Sequence, residues 1–253
     1  MPTLPVTYFG HVCLMKVIPG LILYVLIPLY SLSQDNPVII ELFTSQGCSS
    51  CPAADKNLSE IIKRAEAQGK PVYGLSFHVD YWNYIGWKDP YSSKEFTERQ
   101  RRYAKTLNLT SIYTPQMIVN GKDEFVGSNK DEAHRIIDKS FRMIPVFQIV
   151  IESSQVSNGI LHIKYSVNEK PAGEVLNMAI VEKETENFVP AGENSGRKLQ
   201  HDNVVRIFRT VLLQSKGEVE IKIEDLNLSK CSLILYVQDK QFHVLGSRAK
   251  FIL

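Results

Sequence analysis

Cysteine is scarce in this chain, with four residues in 253, and that excludes a small scaffold held together by disulfides. An excess of charge of one sign is also missing. Formal net charge is +2 with both signs interspersed, so no broad attraction to nucleic acid or to an anionic membrane is expected. No low-complexity tract or fixed-period repeat occurs, which excludes solenoids and arrays. Acidic residues are absent from the first 33 positions, where Lys16 is the single lysine or arginine. The apolar run behind it, Val17–Tyr30, falls short of the roughly 20 residues that a membrane-spanning helix needs. With Ser31-Leu32-Ser33 after it, the segment reads as a secretory signal peptide over residues 1–33. Met15 is an alternative start, and an uncleaved anchor the alternative fate. The exported protein, periplasmic or extracellular, then keeps Cys48, Cys51 and Cys231.

What is present is ordinary globular composition: 44% apolar and 22% charged, with 14 Gly and 12 Pro. One large or two small domains fit that length. From residue 36 to about 144 the pattern alternates strand and helix. Val38–Phe43 suits a buried strand, and Thr44-Ser45-Gln46-Gly47 is a turn. From Ser49 to Gln68, Leu58, Ile61, Ile62 and Ala65 recur at helical spacing until Gly69 stops the run. Pro52 is tolerable in the first turn, where backbone donors have no intrahelical partner. Val72–Val79 reads as a second strand and Lys94–Leu107 as a polar-faced helix, with Arg99, Arg101 and Arg102 on its solvated face. Gln116–Asn120 and Glu124–Val126 form a hairpin, and Lys130–Met143 a closing helix. This β-α-β-α-β-β-α order is that of a thioredoxin-like α/β domain. From Pro145 the apolar period changes to two, and about seven short strands predict an all-β sandwich-like domain over residues 145–253. The polar stretch Gly192–Arg206 is either a bare hairpin loop or a segment folded back on the first domain; the pattern does not choose.

Cys48-Ser49-Ser50-Cys51 sits between a strand and a helix, and thiol chemistry favours that placement. Free N–H groups and the positive end of the helix dipole stabilise a thiolate there. Such sites lower a thiol pKa from about 8.5 into the range of roughly 3.5–7.5. Three readings stand: a redox pair, an inert structural disulfide, and a metal site, for which no second Cys-x-x-Cys supplies ligands. Thr114-Pro115 immediately precedes the Gln116 strand, where thioredoxin-like proteins carry a cis-proline facing the Cys-x-x-Cys. A cis bond is expected, against the alternative of a trans proline opening a strand.

The run Glu41-Leu42-Phe43-Thr44-Ser45-Gln46-Gly47-Cys48-Ser49-Ser50-Cys51-Pro52-Ala53-Ala54-Asp55 resembles the signature of an uncharacterised, mostly bacterial secreted family, domain of unknown function twelve twenty-three. Ser76–Trp82, Gly86–Pro90, Tyr113–Gln116, Gly192–Arg197 and His201–Arg206 are similar to the same family. The resemblance implies export and a thioredoxin-like fold, and it marks Cys48, Cys51 and Pro115 as site positions. It supplies no reaction.

Four neighbours complete the candidate set. Glu41 either takes the Cys51 proton during exchange or is a strand-end carboxylate paired with solvent or a lysine. Tyr73–Tyr91 holds seven of the chain's 24 aromatic residues. It is either an aromatic wall beside the thiols that binds unfolded or extended polypeptide, or a loop packed onto the sheet by Trp82 and Trp87. His78 and Asp80 follow on one strand face. His78 is either a hydrogen-bonded strand-end residue or, with the two thiolates, part of a Cu(I) site. The expectation is thiol–disulfide exchange on exported thiol or disulfide proteins, with no bound cofactor, no nucleic acid and no membrane beyond the signal or anchor. The alternatives are a non-enzymatic binding module with a structural Cys pair, and copper handling.

Overall fold

The computed structural model describes residues 1–2, 36–223 and 226–252. Apart from its first two positions, the expected signal segment lies outside the described residues, as does Met15. No helix among the described residues is long and apolar enough to cross a membrane.

The first half of the chain gives β1 (Val38–Thr44), α1 (Cys51–Ala67), β2 (Val72–His78), α2 (Lys94–Thr106), β3 (Gln116–Val119), β4 (Asp123–Val126) and α3 (Lys130–Ser140). β1 is buried along its whole length; it pairs in parallel with β2 and antiparallel with β3. Ser93 caps α2, its hydroxyl accepting from the Glu95 N–H, and Asn129 caps α3 by accepting from the Glu132 N–H. The second half gives β5 (Ile149–Ser157), β6 (Ile160–Val167), β7 (Val175–Glu182), β8 (Thr185–Phe188), β9 (Lys198–His201), β10 (Val204–Leu212), β11 (Lys216–Lys222), β12 (Cys231–Gln238) and β13 (Val244–Phe251).

The expectation of an α/β thioredoxin-like domain followed by an all-β sandwich-like domain is corrected by the pairing. Among the described residues thirteen strands stand against three helices. Eight of the strands form one mixed sheet in the order β13-β12-β7-β10-β2-β1-β3-β4. The join is β10 against β2, with Val204 opposite Ser76 and the Ser76 N–H donating to the Asn203 carbonyl. The physical reason is the edge of β2. All but Tyr73 of its residues are buried, and an open edge there would leave backbone donors and acceptors unpaired. Period-two alternation reports which faces of a strand are buried and says nothing about which edges are paired.

One face of the long sheet is shared by both halves. Ile39, Phe43, Leu75 and Phe77 pack there with Phe96 and Tyr103 of α2, and with Val181, Val205 and Tyr236 of the second half. The opposite face is divided. α1 and α3 cover Val38, Ile40, Leu42 and Val119, whereas the three-stranded sheet β11-β6-β5 covers Met178, Ile180, Leu233 and Leu235. Cys231 opens β12 within that second core as a free, buried thiol. Burial pushes its pKa up to about 11, with Glu182 adding to the effect.

Candidate active site

Cys48 and Cys51 are joined in a disulfide. Cys51 is the first residue of α1, and Pro52 sits in the opening turn. Both cysteines are buried, whereas Ser49 and Ser50 between them are exposed. The Ser50 hydroxyl lies 3.3 Å from Cys48 Sγ, in reach to donate to a sulfur that becomes a thiolate. Thr114-Pro115 is a cis peptide bond, and the Thr114 carbonyl oxygen is 4.0 Å from Cys48 Sγ. A short ladder fixes that approach. Asn57 of α1 donates to the Gly127 carbonyl at 2.9 Å, and the Gly127 N–H donates to the Pro115 carbonyl at 2.9 Å. Trp82 Nε1 donates to the Thr114 hydroxyl at 2.8 Å, so Cys48, Cys51, Thr114, Pro115 and Trp82 are brought together.

The remaining candidates are not at the sulfurs. Glu41 alternates to the face of β1 that meets α2, opposite the face that meets α1 and Cys51. There it holds Arg99, with Nε donating to Oε2 at 2.6 Å and Nη2 to Oε1 at 2.7 Å. Arg99 also donates to the Tyr236 hydroxyl and Gln238 Oε1, and Tyr103 donates to Glu41. Burial alone would lower the guanidinium pKa; Glu41 and the two phenols outweigh it and raise it further. Arg99 is therefore no solvated face residue, as the arginine pattern suggested; it is 2% exposed. Arg101 and Arg102 are exposed. Asp80 accepts from the Thr97 hydroxyl at 2.5 Å and so ties the end of β2 to α2.

His78 lies fully buried at the end of β2, with Nδ1 2.7 Å from Asp89 Oδ2. Asp89 also accepts from the backbone N–H of Gln46 and Tyr91 and from Gln46 Nε2, which anchors the turn leading into Cys48. Burial works against the charged forms of both partners. For His78, Asp89 and then Asp55 outweigh burial and raise the pKa. For Asp89, His78 and the two N–H groups bring it down to about 2 from 3.8. A depressed carboxylate stabilises the fold above its unfolded pKa, and that contribution is lost as pH falls through the folded value. Between pH 5 and pH 2, wild type should lose about 2 kcal/mol more unfolding free energy in urea titrations than the double variant His78→Gln/Asp89→Asn, in which neither coupled group titrates. Parallel curves for the two proteins would remove this role of Asp89. Among the described residues, no group of three or more His, Cys, Asp or Glu side chains is arranged to hold a metal ion.

The polar stretch left open by the sequence folds back over the cysteine loop. Asn194, fully buried, donates from Nδ2 to the carbonyls of Gln46 at 2.9 Å and Cys48 at 2.8 Å. Arg197 donates to Asn194 Oδ1 at 2.7 Å, and Glu193 accepts from the Ser49 N–H at 2.9 Å. The Ser49 hydroxyl, together with that backbone N–H, holds the Glu193 pKa below the usual carboxylate range. Ile85 packs between two glycines: a Cβ on Gly47 would stand 2.7 Å from Ile85 Cδ1, and one on Gly192 would collide with the same atom. This strap, between β8 and β9, helps to bury Cys48. Asn194, Glu193, Arg197, Asp89, Asp55 and His201 were not singled out as site residues from the sequence. The signal for several of them was a polar, glycine-bearing run between strands, where a plain hairpin needs far fewer such residues.

The chain is similar to a structural-genomics protein from Agrobacterium tumefaciens solved by X-ray crystallography. The two are 28% identical with a TM-score of 0.64, over 87% of this chain and 96% of that one. A β-glucosidase from Kluyveromyces marxianus aligns at 11% identity and a TM-score of 0.26, over 43% of this chain and 14% of its own. No curated protein matches. The family model described as Protein of unknown function (DUF1223) matches residues 39–238, and the chain belongs to that family.

Proposed function

We propose that the protein carries out thiol–disulfide exchange through Cys48 and Cys51 on exported proteins. The observation that carries this reading is the disulfide at the start of α1 with the Thr114 carbonyl 4.0 Å from Cys48 Sγ. In the reduced form, the Cys48 thiolate attacks a substrate disulfide, and the first substrate sulfur leaves as a thiolate. Cys51 then attacks Cys48 Sγ, the mixed disulfide breaks, and the second substrate sulfur leaves. Two protein thiols are oxidised to a disulfide and one substrate disulfide is reduced to two thiols; the reverse order oxidises a substrate dithiol. The Ser50 hydroxyl and the α1 N-terminus favour the thiolate. Pro115 contributes no N–H of its own, and the Thr114 backbone beside the sulfur suits an extended chain laid along it.

Burial of both sulfurs favours a second reading, a structural bond in a binding module. One experiment separates the two. Cys51→Ser should accumulate mixed disulfides with exported proteins, because the resolving thiol is gone, and Cys48→Ser should trap none. Trapping by neither variant, or by both alike, moves the assignment to the structural bond.

A further inference from the structure

One turn beyond Cys51, α1 turns Asp55 inward on the same buried face. Side chains four residues apart on a helix have Cβ atoms about 5–6 Å apart and lean toward the N-terminus, so Asp55 leans over the turn that holds Cys51. His201, at the end of β9, brings Nδ1 to 3.4 Å from Asp55 Oδ2, and both side chains are at least 96% buried. The His201 ring packs edge-on against His78 at 4.9 Å. Yet both carboxylate oxygens of Asp55, both ring nitrogens of His201 and Nε2 of His78 are buried with no hydrogen-bond partner. Five buried polar atoms that make no close hydrogen bond to another protein group, gathered in one place, call for a partner, which a shared or transferred proton supplies. Asp55 and His201 also line a cleft of about 830 Å³ between α1 and the β8–β9 hairpin, with Pro52 on its wall.

We propose that Asp55 and His201 are the proton acceptor for Cys51 in the resolving step; this rests on the exchange reading above. In the mixed disulfide, Cys51 carries its proton. That proton passes to the Asp55 carboxylate and on to His201, while the sulfur electron pair forms the bond to Cys48 Sγ. The bond between Cys48 and the substrate sulfur breaks, and the substrate leaves as a thiolate. The cleft gives His201 a route for the proton to water, and the same groups return a proton to Cys51 when the disulfide is reduced. The charged or titratable groups facing the pair are Cys51 on α1 and His78 on β2 backed by Asp89. Lys56, Glu60 and Lys63 of α1, with Glu184, Glu186, Lys198, Asp202 and Lys230 across from them, stand at the cleft wall.

The test needs no natural substrate. Reduced full-length protein is mixed with an excess of an aromatic disulfide probe, dithiobis-nitrobenzoate, and release of the second thionitrobenzoate is followed. That second release is the attack of Cys51 and does not depend on probe concentration. Near pH 6 the step should slow on the order of 10–100-fold in Asp55→Asn and in His201→Gln. Both variants should then gain about tenfold per pH unit, as an unassisted thiol does, and approach wild type in alkali. Asp55→Glu should restore the wild-type profile in part. A wild-type rate and pH profile in Asp55→Asn, or in His201→Gln if that alone folds, overturns the proposal. Failure of wild type to exchange with protein disulfides would instead remove the exchange reading, and would leave this step as measured.

Discussion

Replacing Arg99 with Met is expected to destabilise the fold by about 3–5 kcal/mol, since removing one member of a buried ion pair leaves the other charged and unpaired. The orphan would be Glu41, 1% exposed in the interior of β1. Tyr103 and Tyr236 would still donate to it, but neutral donors cannot balance a full charge in so dry a place. The guanidinium also lies over the rings of Phe208 at 4.6 Å and Tyr103 at 5.2 Å, contacts that a thioether replaces incompletely. Arg99 belongs to the first half of the chain, while Tyr236 and Gln238 belong to the second, so the loss weakens the seam between them. The double variant Glu41→Leu/Arg99→Met should lose much less, because neither charge remains. Urea unfolding of the single and double variants decides the matter. A single-variant loss below about 1 kcal/mol, the size of an exposed pair, would show that the pair is solvated.

Loosening the strap is expected to expose the sulfurs. Asn194→Ala removes two donated bonds to the Gln46 and Cys48 carbonyls and the acceptor of Arg197. Each bond of that kind contributes roughly 0.5–1.5 kcal/mol net, so the local opening equilibrium should shift about 10–100-fold at 1.4 kcal/mol per decade. If a reductant reaches Cys48 only when the strap lifts, reduction by a small dithiol should accelerate by the same factor while global stability changes little. Glu193→Gln, which keeps an acceptor for the Ser49 N–H but drops the charge, should accelerate it by a smaller amount. Equal reduction rates in wild type and Asn194→Ala would show that access does not depend on the strap.

Local elements were the legible part of this fold. Apolar runs gave β1 and β2 within a residue or two. Leu58, Ile61, Ile62 and Ala65 marked α1, and Gly69, at φ +66°, stops it. The arrangement of the second half was not legible, because the alternation of Leu161–Val167 and the apolar run of Ser232–Gln238 read the same whether the strands join a separate sandwich or extend a neighbour's sheet. Only pairing distinguishes them, and pairing partners such as Ser76 and Val204 leave no mark on either strand. Of the residues gathered around the disulfide, Cys48 and Cys51 were legible from spacing and the cis Thr114-Pro115 bond from its place before β3, whereas Trp82 stood out only as part of a dense aromatic run. Glu41 could not be placed: a carboxylate in an apolar strand announces that it needs a partner, but not on which face. Its partner was read as a surface residue, since arginine on a polar helix usually is one. Asp55, named only as the end of the signature run, was given no role for a related reason. One acidic residue on a helix rich in Lys and Glu reads as solvated until burial shows otherwise.

The strap also sets an order of events in folding. Asn194 lies 146 residues beyond the Cys48 carbonyl it grips, and β2 waits for β10 to close its edge. Contacts so distant in sequence form late, since the intervening chain must lose its freedom before they stabilise anything. During synthesis the cysteine loop therefore emerges, and meets the surrounding thiol–disulfide milieu, well before its cover exists. The oxidation state of the pair is open to that milieu first, and only afterwards is it enclosed by the finished fold.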